Sequence, residues 1–347
     1  MQHYDFTRVW NESLLMREDR PLVPRQHIWA SELGKAPVDI WLKMRGTAPT
    51  NPPNMRSLRK FEAGNIWEWV VSLILNRCGL IHGQQTRCEH EYEGLLKVTG
   101  KLDFLMGCEA KIEPSEAAFT AEALLALVKL PEAFVRNGAK LAEAMAAHGA
   151  VPKSVLEIKS CSAFMFDRYE AKRSASKNHR LQLFHYLKSL NMERGEVCYI
   201  CRDDCRMLSV PVLNPSATED QYKWHIAEIS DYHKSDTRPP IEKCLVWDED
   251  VGKFCANWQV AYSGYLTMLY NFKDQAHFDD THKPTVARWN RTMGRLKEIS
   301  EGGTTPTGKP LLLTDKNKLA LDEMRSAGFD PDALLPDFAP EKEEETI

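Results

Sequence analysis

The chain has 347 residues, enough for one large domain or two with a well-buried core. An apolar fraction of 43% and a charged fraction of 27% are those of an ordinary soluble globular protein, and no stretch approaches the length of a membrane span. A net charge of −4 does not mark a nucleic-acid binder, yet leaves room for one with a local basic face.

The N-terminus, Met1 to Asp5, lacks the basic and apolar pattern of a secretory leader. The 9 cysteines are scattered without disulfide spacing, which points to a reducing cytosol and a cytoplasmic location.

Residues 1–30 are polar and aromatic, with Pro21 and Pro24 set against a long helix, and read as an N-terminal extension. A short amphipathic helix is expected over Val38 to Met44, then a Pro-rich loop over Ala48 to Pro53. Residues 56–77 read as a helix. Its run from Val70 to Leu75 is apolar on nearly all sides, so that part is expected to be buried, and Glu68 stands within it.

Residues 87–107 read as a β-hairpin turning near Glu93-Gly94. Asp103 lies among apolar neighbours on its second arm, an unusual place for an unpaired carboxylate. Residues 108–152 are Ala- and Leu-rich and look like an inserted pair of helices, with packing as the simplest role.

Val155 to Ser160 reads as a strand. Side chains alternate along it, so Val155, Glu157 and Lys159 share one face while Leu156 and Ile158 pack the other. A buried Glu and Lys need partners or a metal, whereas a solvated edge strand with an ion pair would need neither. Ser162 to Ser176 reads as a polar loop. With it run Arg168, Lys172, Arg173, Lys177 and Arg180, either a solvated charge run or a phosphate-binding rim.

A helix is expected over 177–191, with His179, Gln182 and Tyr186 on one face. Two strands follow, Glu196 to Cys201 and Arg206 to Val212. Beyond Asn214 the reading is helical, with helices over Thr218 to His233 and about Val251 to Tyr270. A linker at 302–310, a helix from Asp315 to Ala327 and an acidic, disordered tail end the chain.

Some patterns lack the context their chemistry needs. Gly303 to Lys309 has phosphate-loop spacing, but Pro310 stands where Ser or Thr would hold magnesium. Cys198, Cys201 and Cys205 suggest a metal by spacing, yet positions three apart on a strand face opposite sides, so buried or free thiols are the alternative. No Gly-x-Ser-x-Gly elbow supports a hydrolase triad.

Four features stand in order: Gly64 to Glu68 on a helix, Gly100-x-x-Asp103 on a strand, Glu157-x-Lys159 on a strand, and Gln182-x-x-x-Tyr186 on a helix. This order resembles the PD-(D/E)XK nuclease superfamily, and is most similar to its RecB-like exonuclease branch, which includes CRISPR-associated and phage recombination exonucleases. The resemblance covers roughly residues 30–212.

It implies an α/β fold with a restriction-endonuclease-like core, a central mixed β-sheet flanked by helices. The core would span 31–212 with the helical insertion 108–152. A helical region, 213–300, would pack on it, and 301–347 would hold the linker, short helix and tail. Asp103, Glu157, the Ile158 carbonyl and Glu68 would hold Mg²⁺ or Mn²⁺, Glu68 directly or through water. Lys159 and Gln182 would complete the catalytic set. Tyr186 and His179 would support the site or touch DNA, and the five basic residues would line its backbone.

Two departures from the branch stand out. Trp67 occupies a position that is often His. Ala36, Val260 and Ser263 stand where cluster-binding cysteines would be, so no iron–sulfur cluster is expected. The implied function is a metal-dependent deoxyribonuclease, most simply an exonuclease of DNA repair, recombination or phage DNA processing. Its partner is single- or double-stranded DNA, with no membrane. A homo-oligomer, or a protein partner at 108–152, is compatible with it. The alternatives are a structure-specific endonuclease, a DNA-binding scaffold of the same fold without catalysis, and an RNA- or protein-directed adaptor.

Overall fold

The computed structural model describes residues 6–16, 22–77, 80–108, 151–213, 216–249 and 251–334. The expected inserted helices within 108–152 and the acidic tail lie outside the described residues, apart from strand ends at 108 and 151–152. The chain divides into two compact units, one of residues 1–48 and 53–240, the other of 49–52 and 241–347.

The first unit is mixed α/β. In chain order it contains α1 (Phe6–Leu15), β1 (His27–Trp29), α2 (Pro37–Met44), α3 (Met55–Arg77), β2 (Ile81–His90), β3 (Lys97–Cys108) and β4 (Val151–Cys161). Then come α4 (Ala163–Lys172), α5 (Lys177–Ser189), β5 (Arg194–Cys201), β6 (Met207–Leu213) and α6 (Ser216–Lys234). The sheet runs β1-β3-β4-β5-β6, with β2 also on β3. β4 pairs antiparallel with β3 and parallel with β5, so it is an interior strand rather than a solvated edge.

Alternation along β4 builds two layers. Val155 joins Leu183, Leu187, Val197 and Tyr199 beneath α5. Leu156 and Ile158 join Val71, Phe104 and Ile200 beneath α3. Burying each such side chain contributes roughly 1.5–3 kcal/mol. α5 is buried without a break from Leu181 to Leu187, because the sheet lies on one side and α6 supplies Tyr222, Ile226 and Ile229 to the same core. In α3 the run expected to be buried is covered at Val71, Ser72 and Leu73 and half-buried at Val70, Ile74 and Leu75, while Phe61, Ile66 and Trp69 before it are exposed.

The polar loop expected at 162–176 is largely helix α4. Phe166, fully buried, and Tyr169, stacked on Tyr199, give it an apolar stripe at helical spacing that its many charges obscure. The expected N-terminal extension contains α1, and it supplies β1 to the sheet.

The second unit holds a β-hairpin, β7 (Leu245–Asp248) and β8 (Lys253–Ala256), two short helices, α7 (Trp258–Ala261) and α8 (Leu266–Tyr270), then α9 (Gln275–Ser300) and α10 (Asp315–Ser326). Phe254, Trp289, Met293, Leu321 and Met324 form its core. This replaces the single helix expected over 251–270. Gly252, with φ of 62°, closes the hairpin, and Asn257 caps α7 by accepting from the Gln259 N–H.

Candidate active site

The site lies where β3 and β4 part. β2 holds one edge of β3 from Val98 to Met106. On the other edge, β1 pairs with Lys97 to Thr99, and β4 with Phe104 to Cys108. Between them, Gly100 to Asp103 face a gap. Backbone groups in such a gap need side-chain partners. The Asp103 carboxylate accepts the Ile158 N–H at 2.7 Å, and the Tyr186 hydroxyl donates to the Lys101 carbonyl at 2.9 Å.

One step beyond the last pair, Phe104 with Leu156, stand Asp103 and Glu157. Continuing the register sets them opposite each other on one face. Glu157 is 2% exposed. One of its oxygens, Oε1, accepts from the Lys159 ammonium at 2.6 Å and from the Gln182 amide at 2.7 Å. The other, Oε2, is buried without a hydrogen-bond partner.

Gln182 and Tyr186, one turn apart on α5, act as a unit, since the Gln182 amide also donates to the Tyr186 hydroxyl at 3.0 Å. Gly100 permits this approach. A Cβ there would stand 2.8 Å from the Tyr186 ring and 2.8 Å from the Ala30 Cβ. From the sequence, Tyr186 and His179 either support the site or touch DNA. The structure buries Tyr186 at 1% exposure, and sets His179 Nδ1 at 2.9 Å from the Tyr199 hydroxyl. Tyr186 thus supports Gln182 from inside, while the half-buried His179 is tied to Tyr199. Burial, then the Lys159 charge, lowers the His179 pKa to about 3, so its imidazole is neutral.

Glu68 comes from α3, the layer on the opposite face. Its Oε1 accepts from the Gln85 amide at 2.6 Å, and the same nitrogen lies 3.4 Å from Asp103 Oδ1. Gln85 is a site residue with no sequence signal. It sits in β2, opposite Asp103 by register, with φ of 50°.

Burial, then the neighbouring Glu157 charge, holds the Asp103 carboxyl well above the usual aspartate range. Burial alone would lower the Lys159 ammonium, but Glu157 and Asp103 outweigh it and raise the pKa. Three carboxyl groups, Asp103, Glu157 and Glu68, act with one ammonium, Lys159, an excess of acidic oxygen donors over cations.

That excess, with the unpartnered Glu157 Oε2, fits a divalent cation that prefers oxygen donors. Among the described residues, no three His, Cys, Asp or Glu side chains stand close enough to hold one ion together. The fit is therefore to Asp103 and Glu157 as a pair. Glu68 stands apart from that pair, with the Gln85 amide between it and Asp103.

The basic residues fall on one helical pair. Arg168 and Lys172 are on α4, Arg173 caps its C-terminus, Lys177 opens α5 and Arg180 follows one turn on. Lys172, Arg173 and Lys177 are exposed. A cavity of about 410 Å³ lined by His27, Arg87, Glu89, Lys97 and Thr99, among others, shares none of the site residues. Cys198 packs with the α3 layer and Cys201 with the α5 layer, as their spacing on β5 implies. Among the described residues, no helix is long and apolar enough to cross a membrane.

No family model matches the chain, and no curated protein is similar to it in sequence. The solved structures similar to it at low identity include these two. One, titled as the crystal structure of SSO0001, is 14% identical, with 76% of this chain and 96% of that chain covered and a TM-score of 0.44. The other is an alkaline exonuclease (LHK-Exo) from Laribacter hongkongensis, 12% identical, with 65% of this chain and 97% of that chain covered and a TM-score of 0.35. Likeness at this level carries no weight for function, which rests on the residues themselves.

Proposed function

We propose that this protein is a metal-dependent deoxyribonuclease, and an exonuclease of the branch its motifs resemble. The observation that carries the reading is the pair Asp103 and Glu157, opposed where β3 and β4 separate, with Lys159 bonded to the second. Asp103, Glu157 and the Ile158 carbonyl would hold Mg²⁺ or Mn²⁺. That carbonyl leaves β4 on the same edge as the N–H given to Asp103. The bound cation would activate water and offset charge on the scissile phosphate.

The chain's own groups do the rest. Lys159 places a positive charge at the reacting phosphate, Gln182 orients Lys159 through their shared hold on Glu157 Oε1, and Tyr186 fixes Gln182. Lys172, Arg173 and Lys177, with Arg168 and Arg180, would track the DNA backbone. Ala36, Val260 and Ser263 offer no thiolate for an iron–sulfur cluster, so the purified protein should be colourless.

The test incubates end-labelled single- and double-stranded DNA with Mg²⁺, Mn²⁺ or chelator. Metal-dependent shortening, absent in Asp103→Asn, is expected. DNA bound but intact under every condition would favour a non-catalytic scaffold instead.

A further inference from the structure

Resting on the nuclease reading, we propose that Gln85 is a positioning residue that joins Glu68 to the cation site. Its side-chain nitrogen carries two hydrogens and faces two carboxylates from opposite layers of the sheet, Glu68 Oε1 at 2.6 Å and Asp103 Oδ1 at 3.4 Å. Without that donor, two like charges would face each other with nothing between them. With it, Glu68 is held near Asp103 while remaining outside direct coordination. Glu68 then acts on the ion through Gln85 and Asp103, in the way an outer carboxylate tunes a ligand.

The backbone supports a dedicated role. A φ of 50° is uncommon for glutamine and unfavourable within a strand, and it recurs where structure holds a side chain in place for function. The register of β2 shifts between Ile81 and Gly83, and a Cβ on Gly83 would stand 2.7 Å from the Thr86 hydroxyl. Neighbouring Gln84 is held by the same helix as Glu68, accepting from the Ser72 hydroxyl of α3 at 2.8 Å.

The test is calorimetric Mn²⁺ titration of the full chain, with melting temperature on the same samples. The variants are Gln85→Met, Gln85→Gly, Glu68→Gln, the double Gln85→Met/Glu68→Gln, and Asp103→Asn. Methionine keeps the length of glutamine without its donors. Glycine takes the same φ freely, so Gln85→Gly removes the donor without backbone strain, and its melting temperature shows that the chain remains folded. Each single change at 85 or 68 is expected to weaken Mn²⁺ binding about 10- to 100-fold. The double variant should lose no more than either single one, because the two residues act in series.

Parental Mn²⁺ affinity in both Gln85 variants, or losses that multiply in the double, would overturn the role of Gln85. If Asp103→Asn alone abolishes binding in that case, the nuclease reading stands without it. Absence of Mn²⁺ binding in the parent would overturn both.

Discussion

Lys159 and Asp103 hold opposite ends of the site's electrostatics, and each sets a test. The Lys159 ammonium is a direct partner of the buried Glu157 carboxylate. Removing it from the metal-free protein by Lys159→Ala should cost about 3–5 kcal/mol, and Mn²⁺ should return part of that. Cleavage should fall about 100- to 1000-fold, with DNA affinity in Ca²⁺ retained. Melting curves with and without Mn²⁺, beside a cleavage assay, check this, and a folded variant cutting at the parental rate would remove the catalytic role. Asp103 has a raised pKa in the folded protein. Its contribution to metal-free stability is therefore complete below the ordinary aspartate range, and is lost as pH rises through the raised value. Asp103→Asn removes the charge while keeping an acceptor for the Ile158 N–H. It should raise the melting temperature more at about pH 8 than at about pH 4. A gain that does not grow with pH would mean that Asp103 ionises there without penalty.

At the scale of elements, the site depends on α5 approaching β3 closely over Gly100. Gly100→Ala should push Tyr186 off the Lys101 carbonyl and cost about 1–3 kcal/mol by overpacking, with a fall in activity larger than the fall in stability explains. Thermal melting and single-turnover cleavage on one preparation would show it. An alanine variant with parental values for both would mean that α5 can retreat freely. These elements were legible in the sequence where one period dominated. The alternation around Glu157 lies as read, and the helix expected over 177–191 is α5 (Lys177–Ser189). α4 was not legible, because charged residues alternate with its apolar ones from Asp167 onward and interrupt the stripe that Phe166 and Tyr169 make. Gln85 was not legible either, since glutamine carries no preference for left-handed backbone and its role exists only once β2 lies against β3. Tyr186 was placed on the right helix, but its burial follows from Gly100, distant in sequence.

For the molecule as a whole, a net charge of −4 and a DNA-binding role are compatible if basic residues gather on one face. Lys172, Arg173 and Lys177 are exposed within six residues of one another around the α4–α5 turn, where such a face would lie. DNA affinity measured in Ca²⁺ should fall as salt rises, and Arg173→Ala should reduce that salt dependence by about one phosphate contact without changing sequence preference. An unchanged slope would place the DNA elsewhere. The most direct test of the central claim needs no substrate. A cation held by Asp103 and Glu157 binds only the folded chain, so Mn²⁺ at about 100 times its dissociation constant should stabilise the protein by about 2.7 kcal/mol. Melting the parent, Asp103→Asn and Glu157→Gln across a Mn²⁺ series should show a concentration-dependent rise in the parent that both variants lose. An equal rise in all three would contradict a metal site at these carboxylates.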